Sequence, residues 1–248
     1  GNDSIIYLIH EQSSLNPVVV PYSFVYLAHY SIINILANNG QGEVVNKSIS
    51  LLQDTLCYGK LTAVKHGNGR DWWFVIPAYN QPLYYKFLLT PNGIDTFPPQ
   101  LIGGPSYSSL GQAVFAPNGS KYIRLNNLGY DYGYYLDIMD FDRCSGMFSN
   151  YQSINGTSAT TYGLSVSPNS KYLYFSKGLE LLQYDLSANN INTSEFKVAD
   201  YDGFENPLPT IFGMSQLAPD GKIYVSSNWN VKNYHVIQNP NEAGFECK

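Results

Sequence analysis

The chain has 248 residues and a net charge of −5, long enough to bury a sizeable core and without the basic footprint that nucleic acid requires. Charged residues make up 13% of it, against about 25% in an average soluble protein. Aromatics reach 15%, with 22 Tyr among them, which favours strands, because flat and branched side chains pack well on a pleated surface. The longest apolar stretch, residues 16–27, is shorter than the roughly 18 residues a membrane helix needs and contains Pro17 and Pro21, so direct membrane insertion is not expected.

In chain order, residues 5–9 read as one strand and residues 30–36 as the next, followed by the turn Asn38-Asn39-Gly40. From Tyr58 onward the pattern repeats. The segments Tyr58-Gly59-Lys60, Leu110-Gly111-Gln112, Tyr162-Gly163-Leu164 and Phe212-Gly213-Met214 each set a large apolar residue before Gly, with glycine spacings of 52 (59 to 111), 52 (111 to 163) and 50 (163 to 213). Each runs into a turn, at Asn68-Gly69, Asn118-Gly119, Asn169-Ser170 and Asp220-Gly221, the last three preceded by Pro117, Pro168 and Pro219. Asn-Gly and Asp-Gly supply the backbone freedom of a tight hairpin, and Pro ends a strand because it has no N–H for the ladder. A further strand and turn closes each unit at residues 84–89, 134–141, 181–186 and 234–237.

Four short strands in about 50 residues, repeated in phase, are the mark of a β-propeller blade. The fold expected is therefore all-β: a propeller of about five recognisable four-stranded blades, part of a larger ring of about seven. One domain over 1–248 is expected, with blade units near 1–57, 58–109, 110–160, 161–210 and 211–248. The first unit lacks an inner strand, and Gly1 is not Met, so the chain reads as an internal section cut at both ends. Small residues two places after the last three glycines (Ala113, Ser165, Ser215) suit the crowded hub. Cys57, Cys144 and Cys247 allow one bridge at most, with free buried thiols as the other possibility.

Several longer motifs carry a resemblance. Residues 61–73 (LTAVKHGNGRDWW), 141–146 (FDRCSG), 216–224 (QLAPDGKIY) and 235–241 (HVIQNPN) together resemble secreted propellers of Bacteroidota. The Pro-Asp-Gly-Lys turn also resembles WD40-like and TolB-like repeats. The resemblance implies large type IX-secreted or gliding-motility-associated proteins that carry PKD-type domains. It places the chain outside the cell or on the outer cell surface, with other domains of the same polypeptide as partners.

Candidate binding residues are Lys65, His66, Arg70 and Trp73, a polar cluster beside a stacking platform, and Tyr130, Tyr132 and Tyr135 from the tyrosine-rich stretch 129–135. Period-2 alternation puts Trp72 and Trp73 on opposite faces, so only one of them is expected to be exposed. Asp137, Asp140, Asp142 and Arg143 match no calcium loop; an Asp142–Arg143 turn interaction is expected there, with a cation near Asp140 and Asp142 as the alternative. No G-x-S-x-G or HExxH occurs, the four His are scattered singly, and the hub residues Lys60, Gln112, Leu164 and Met214 include no acid. A cofactor and a metal are thus not expected, and the chain is not expected to be an enzyme. The function expected is a recognition or scaffold module binding protein or polysaccharide through propeller-face loops. A glycan-active hydrolase and a purely structural spacer are the alternatives.

Overall fold

The computed structural model describes residues 4–15, 23–107, 111–128, 133–157, 163–227 and 231–248. Among these the chain forms five antiparallel sheets arranged as successive blades of a propeller. Blade 1 holds β1 (Ile5–Leu15), β2 (Ser23–Asn34) and β3 (Glu43–Leu56). Blade 2 holds β4 (Thr62–Lys65), β5 (Trp72–Pro77), β6 (Leu83–Thr90) and β7 (Gly93–Leu101). Blade 3 holds β8 (Ala113–Phe115), β9 (Lys121–Asn127), β10 (Tyr134–Asp142) and β11 (Met147–Gly156). Blade 4 holds β12 (Leu164–Val166), β13 (Tyr172–Lys177), β14 (Glu180–Asp185) and β15 (Phe196–Asp200). Blade 5 holds β16 (Phe212–Leu217), β17 (Ile223–Ser227) and β18 (His235–Ile237).

The propeller stands, with one adjustment to strand number. Blades 2, 3 and 4 are four-stranded, whereas the first and last have three strands each. Blade 1 has no described inner strand, and its strands are much longer than the two short pieces expected from sequence. In blade 5 the chain leaves β18, turns at Asn239 and forms a 3₁₀ turn at Gly244–Cys247. Phe245 of that turn packs edge-on against Phe196 of β15, with centroids 4.9 Å apart.

The hairpin joining the first two strands of each repeat is built the same way four times. A backbone bond closes it, from Gly69 to His66, Gly119 to Ala116, Ser170 to Ser167 and Gly221 to Ala218. The donor residue is left-handed in each, with φ of 74°, 74°, 62° and 81°. Pro at the second turn position pre-sets φ in three of the four. The Asn or Asp at the third position folds its side chain back to accept the N–H two residues on: Asn68 from Arg70, Asn118 from Ser120, Asn169 from Lys171 and Asp220 from Lys222. This Asx turn is why Asn or Asp recurs at that place.

Strand alternation then decides what each blade buries. On β5, Phe74 and Ile76 join Val25, Ala28 and Leu56 of blade 1, while Trp73 and Val75 join Tyr122, Met139 and Phe141 of blade 3. On β9, Ile123 and Leu125 face Leu164 and Phe175 of blade 4. On β13, Tyr172 and Tyr174 face Phe212 and Val225 of blade 5. The core is therefore a stack of layers between blades, and the sheets of blades 2, 3 and 4 each have a core layer on both faces.

The hub explains the repeated glycine. A Cβ on Gly163 would come within 2.7 Å of the Ser215 nitrogen, and one on Gly111 within 2.8 Å of the Leu125 carbonyl oxygen, where φ is also 118°. The residue after the glycine reaches into the next blade: Lys60 Nζ donates to Gly111 O at 2.6 Å, and Gln112 Oε1 accepts from Leu164 N at 3.1 Å.

Candidate functional site

The four inner strands β4, β8, β12 and β16 enclose a cavity of about 560 Å³. No Asp, Glu, Lys or Arg is among its lining residues, which include Thr62, Gln112, Ser165, Ser215 and Gln216. Much of this polarity is already used. Gln112 Oε1 also accepts from Ser215 N, its Nε2 donates to Ser215 O, both at 3.1 Å, and the Ser165 and Ser215 hydroxyls lie 2.9 Å apart. Gln112 thus acts as a strut from blade 3 to blades 4 and 5.

Two charged side chains lie just outside this lining. Lys60 is fully buried, and burial pushes its ammonium down to about 7. Glu11 on β1 accepts the Gly59 N–H, yet burial carries its carboxyl up to about 7.

A second concavity of about 350 Å³ lies between blades 1 and 2. Its walls are Ile5 and Tyr7 of β1, Arg70, Asp71 and Trp72, and the end of β6 with Leu89, Thr90 and Pro91. Trp72 is 43% exposed, and the Lys65 ammonium stands 5.7 Å from its ring centroid. Arg70 Nε donates to Asp71 Oδ1 at 2.7 Å, and Asn68 Nδ2 donates to Asp71 Oδ2 at 2.7 Å. These bonds, Arg70 first, hold the Asp71 carboxyl at about 2. The groove thus joins an exposed indole face to a fixed ion pair, the kind of apolar wall with a few oriented polar groups that small-ligand sites use.

The structure places the sequence candidates in three different settings. Lys65 and Arg70 flank this groove. His66 and Trp73 do not: they bind the next blade. His66 Nε2 is 3.2 Å from Cys144 O, Gly67 N donates to Arg143 O at 3.0 Å, and Trp73 Nε1 donates to the same oxygen at 2.8 Å. Trp73 is 1% exposed, packed edge-on to Phe97 and Phe141, and a Cβ on Gly146 would come within 2.7 Å of its ring. Trp73 is therefore corrected from stacking platform to core, and Trp72 holds the exposed position. The motifs 61–73 and 141–146 prove to be the two halves of one inter-blade latch. Tyr135 is 39% exposed on β10, paired with Asn126 and Asn155. Tyr130 and Tyr132 lie outside the described residues.

The acidic run also resolves differently from expectation. Asp142 does not engage Arg143; it accepts from Cys144 N at 2.9 Å and Ser145 Oγ at 2.7 Å, closing its own turn. Asp140 pairs with Lys121 at 2.6 Å. Asp137 is buried against Arg124, with Nε to Oδ2 at 2.9 Å, and takes further bonds from Asn126, Tyr151 and Ser153. No group of three or more His, Cys, Asp or Glu suited to a metal occurs among the described residues. All three cysteines are free, Cys57 and Cys247 buried and Cys144 exposed. Sequence reasoning missed Tyr7, Trp72 and the Arg124–Asp137 pair. The alternation Tyr122-Ile123-Arg124-Leu125-Asn126 was the available signal for the last.

No family model matches the chain, and no curated protein matches it in sequence. Solved structures do. The periplasmic gluconolactonase PpgL of Pseudomonas aeruginosa is similar at a TM-score of 0.50 and 12% identity, over 92% of this chain and 65% of that one. The Cps50 (Swd1) β-propeller domain of Myceliophteria thermophila is similar at 0.50 and 9% identity, over 90% of this chain and 68% of that one. TolB of Acinetobacter baumannii aligns at 0.46 and 14% identity, over 94% of this chain and 49% of that one. The chain thus spans from half to about two thirds of the length of these propellers. At such identities the likeness is one of fold. It corrects the expectation that the chain is not an enzyme, because a structure of this same architecture is named a gluconolactonase, so neither the propeller nor the missing hydrolase motifs exclude catalysis. Within the described residues, then, the chain is a β-propeller.

Proposed function

We propose that this propeller section recognises a surface polysaccharide, with the groove between blades 1 and 2 as its binding face. The observation that carries the reading is the half-exposed Trp72 indole set beside the Arg70–Asp71 pair in a concavity of about 350 Å³. A sugar ring offers a C–H face to stack on an indole and hydroxyls to bond a fixed carboxylate and guanidinium. Tyr7 gives the opposite wall a second aromatic. Tyr135 adds an exposed aromatic on blade 3.

The resemblance of residues 61–73, 141–146, 216–224 and 235–241 to Bacteroidota secreted propellers supports an extracellular or outer-surface location within a larger exported polypeptide. The name of the periplasmic gluconolactonase is consistent with a cell-envelope setting. The test is a glycan screen with the chain, Trp72→Ala and Tyr135→Ala, each checked for retained fold by circular dichroism. Binding lost in Trp72→Ala supports the groove. Binding unchanged in Trp72→Ala and lost in Tyr135→Ala moves the site to blade 3.

A further inference from the structure

Strand register sets Lys65 of β4, Trp72 of β5, Leu89 of β6 and Ile94 of β7 directly opposite one another. Residues so paired share one face of a sheet, here the face of blade 2 that looks onto blade 1. Lys65 and Leu89 thus flank the Trp72 indole on its two sides. Lys65 is exposed, and its ammonium, 5.7 Å from the ring centroid, is within reach of the indole quadrupole. Among the described residues it has no ion-pair partner.

Arg70 lines the same groove two residues before Trp72. Its side chain is 60% exposed and that of Asp71 is 6% exposed, so the pair turns its guanidinium to solvent and its carboxylate inward. A guanidinium has five N–H donors. Nε and Nη2 donate side-on to Asp71, at 2.7 and 3.1 Å. Nη1 bonds no described residue, so the Nη1–Nη2 edge keeps two parallel N–H groups. That is the fork that meets a carboxylate or a sulfate with two hydrogen bonds. Thr90 on the same wall is already engaged: its Oγ1 donates to Gly93 O and accepts from Asn92 N.

The other acids of the two walls lie elsewhere. Asp95 stands opposite Leu88, on the Trp73 side of the sheet. On blade 1, Glu43 is two strands out from Ile5, and Glu11 accepts the Gly59 N–H at the hub. The charged donors left free beside the exposed indole are thus cationic. On the reading of this groove as a glycan site, we propose that the sugar it takes is acidic. Its carboxylate or sulfate is held by the Arg70 fork and the Lys65 ammonium while its ring stacks on Trp72. The chain carries a net charge of −5, which repels polyanions at long range, so capture falls to these two local cations.

The test is isothermal titration calorimetry at low ionic strength with two matched pairs: oligogalacturonate against its methyl ester, and dextran sulfate against dextran. Within each pair the sugar backbone is shared and only the anion differs. One acid is expected to bind at least about tenfold more tightly than its neutral counterpart, and less so as salt is raised. A preference in the first pair identifies a carboxylate, and one in the second a sulfate. Arg70→Gln and Lys65→Gln change exposed side chains and are checked for fold by circular dichroism. Each should lower the acid-to-neutral ratio, and the double variant should bring it close to one. Equal affinities within both pairs, no binding of either acid, or a preference that survives in the double variant overturns the inference. A neutral glycan that still requires Trp72 would then leave the groove standing as the binding face. Glycan binding indifferent to Trp72→Ala would sink the groove itself.

Discussion

Two arginine–aspartate pairs in neighbouring blades share their chemistry and differ in everything else. Arg124–Asp137 has side-chain exposures of 0% and 2%, and Arg70–Asp71 has 60% and 6%. The first joins β9 to β10 inside the blade 2–3 layer, where every remaining lone pair of Asp137 is taken. The second sits at the tip of a hairpin, with Arg70 in water and Asp71 fixed beneath it. The adjacent tryptophans divide in the same way. Trp73 seals the layer to blade 3, while Trp72, one residue away and on the opposite face, opens onto the groove beside blade 1. Strand alternation at residues 70–73 thus separates a stabilising face from a face free to bind.

The comparison breaks most readily at the buried pair. Arg124→Met should leave Asp137 uncompensated and cost about 3–5 kcal/mol, read as a lowered urea midpoint at unchanged slope. Trp73→Ala comes next, at about 3–5 kcal/mol for a large core aromatic, with Arg143 O also losing its donor; Trp73→Phe should recover most of the packing but not the hydrogen bond. Gly163→Ala should destabilise as well, by about 1–3 kcal/mol, because its Cβ would press on the backbone of blade 5.

The exposed pair should respond far less. Arg70→Ala is expected to move Tm by no more than about 2 °C, which differential scanning calorimetry resolves. Its effect should be full at neutral pH and above and fade in acid. The Asp71 carboxyl is depressed in the folded state, so its contribution is fully present above the ordinary carboxylate range and is lost as pH falls toward about 2. Glu11 has the opposite sign. Its folded value is raised to about 7, so its contribution is full below about 4.5 and disappears as pH climbs through 7. Glu11→Gln should therefore flatten the fall in stability between those limits, seen in a pH series of unfolding curves.

How much of this was legible in the chain follows the same division. The Gly-led inner strands, the Asn-Gly and Asp-Gly hairpins and the alternation of β5, β9 and β13 are local, and each is fixed within a few residues. Alternation also required that one of Trp72 and Trp73 be exposed. Which one it is depends on where blade 3 lies, since Trp73 is claimed by Arg143 O across 70 residues. The same holds for the His66 and Gly67 contacts to the Phe141–Gly146 turn: the two motifs are recognisable separately, but their docking is a property of blade packing. Arg124 and Asp137 look like ordinary members of a polar row and an acidic run until β9 and β10 pair them. Blade 1 was the least legible part. Its strands continue well past the short apolar segments, and most of the β3 side chains before Ile49 are exposed, so hydrophobic pattern marks only part of the ladder.

The division of labour between the tryptophans is tested most directly by fluorescence of Trp72 during titration with the surface polysaccharide selected in the screen. Wild-type emission is expected to shift to the blue and saturate, with Trp73→Phe behaving alike and Trp72→Phe losing the signal and binding at least about tenfold more weakly. An unchanged isotherm in Trp72→Phe, with the fold intact, would contradict the groove as the binding face.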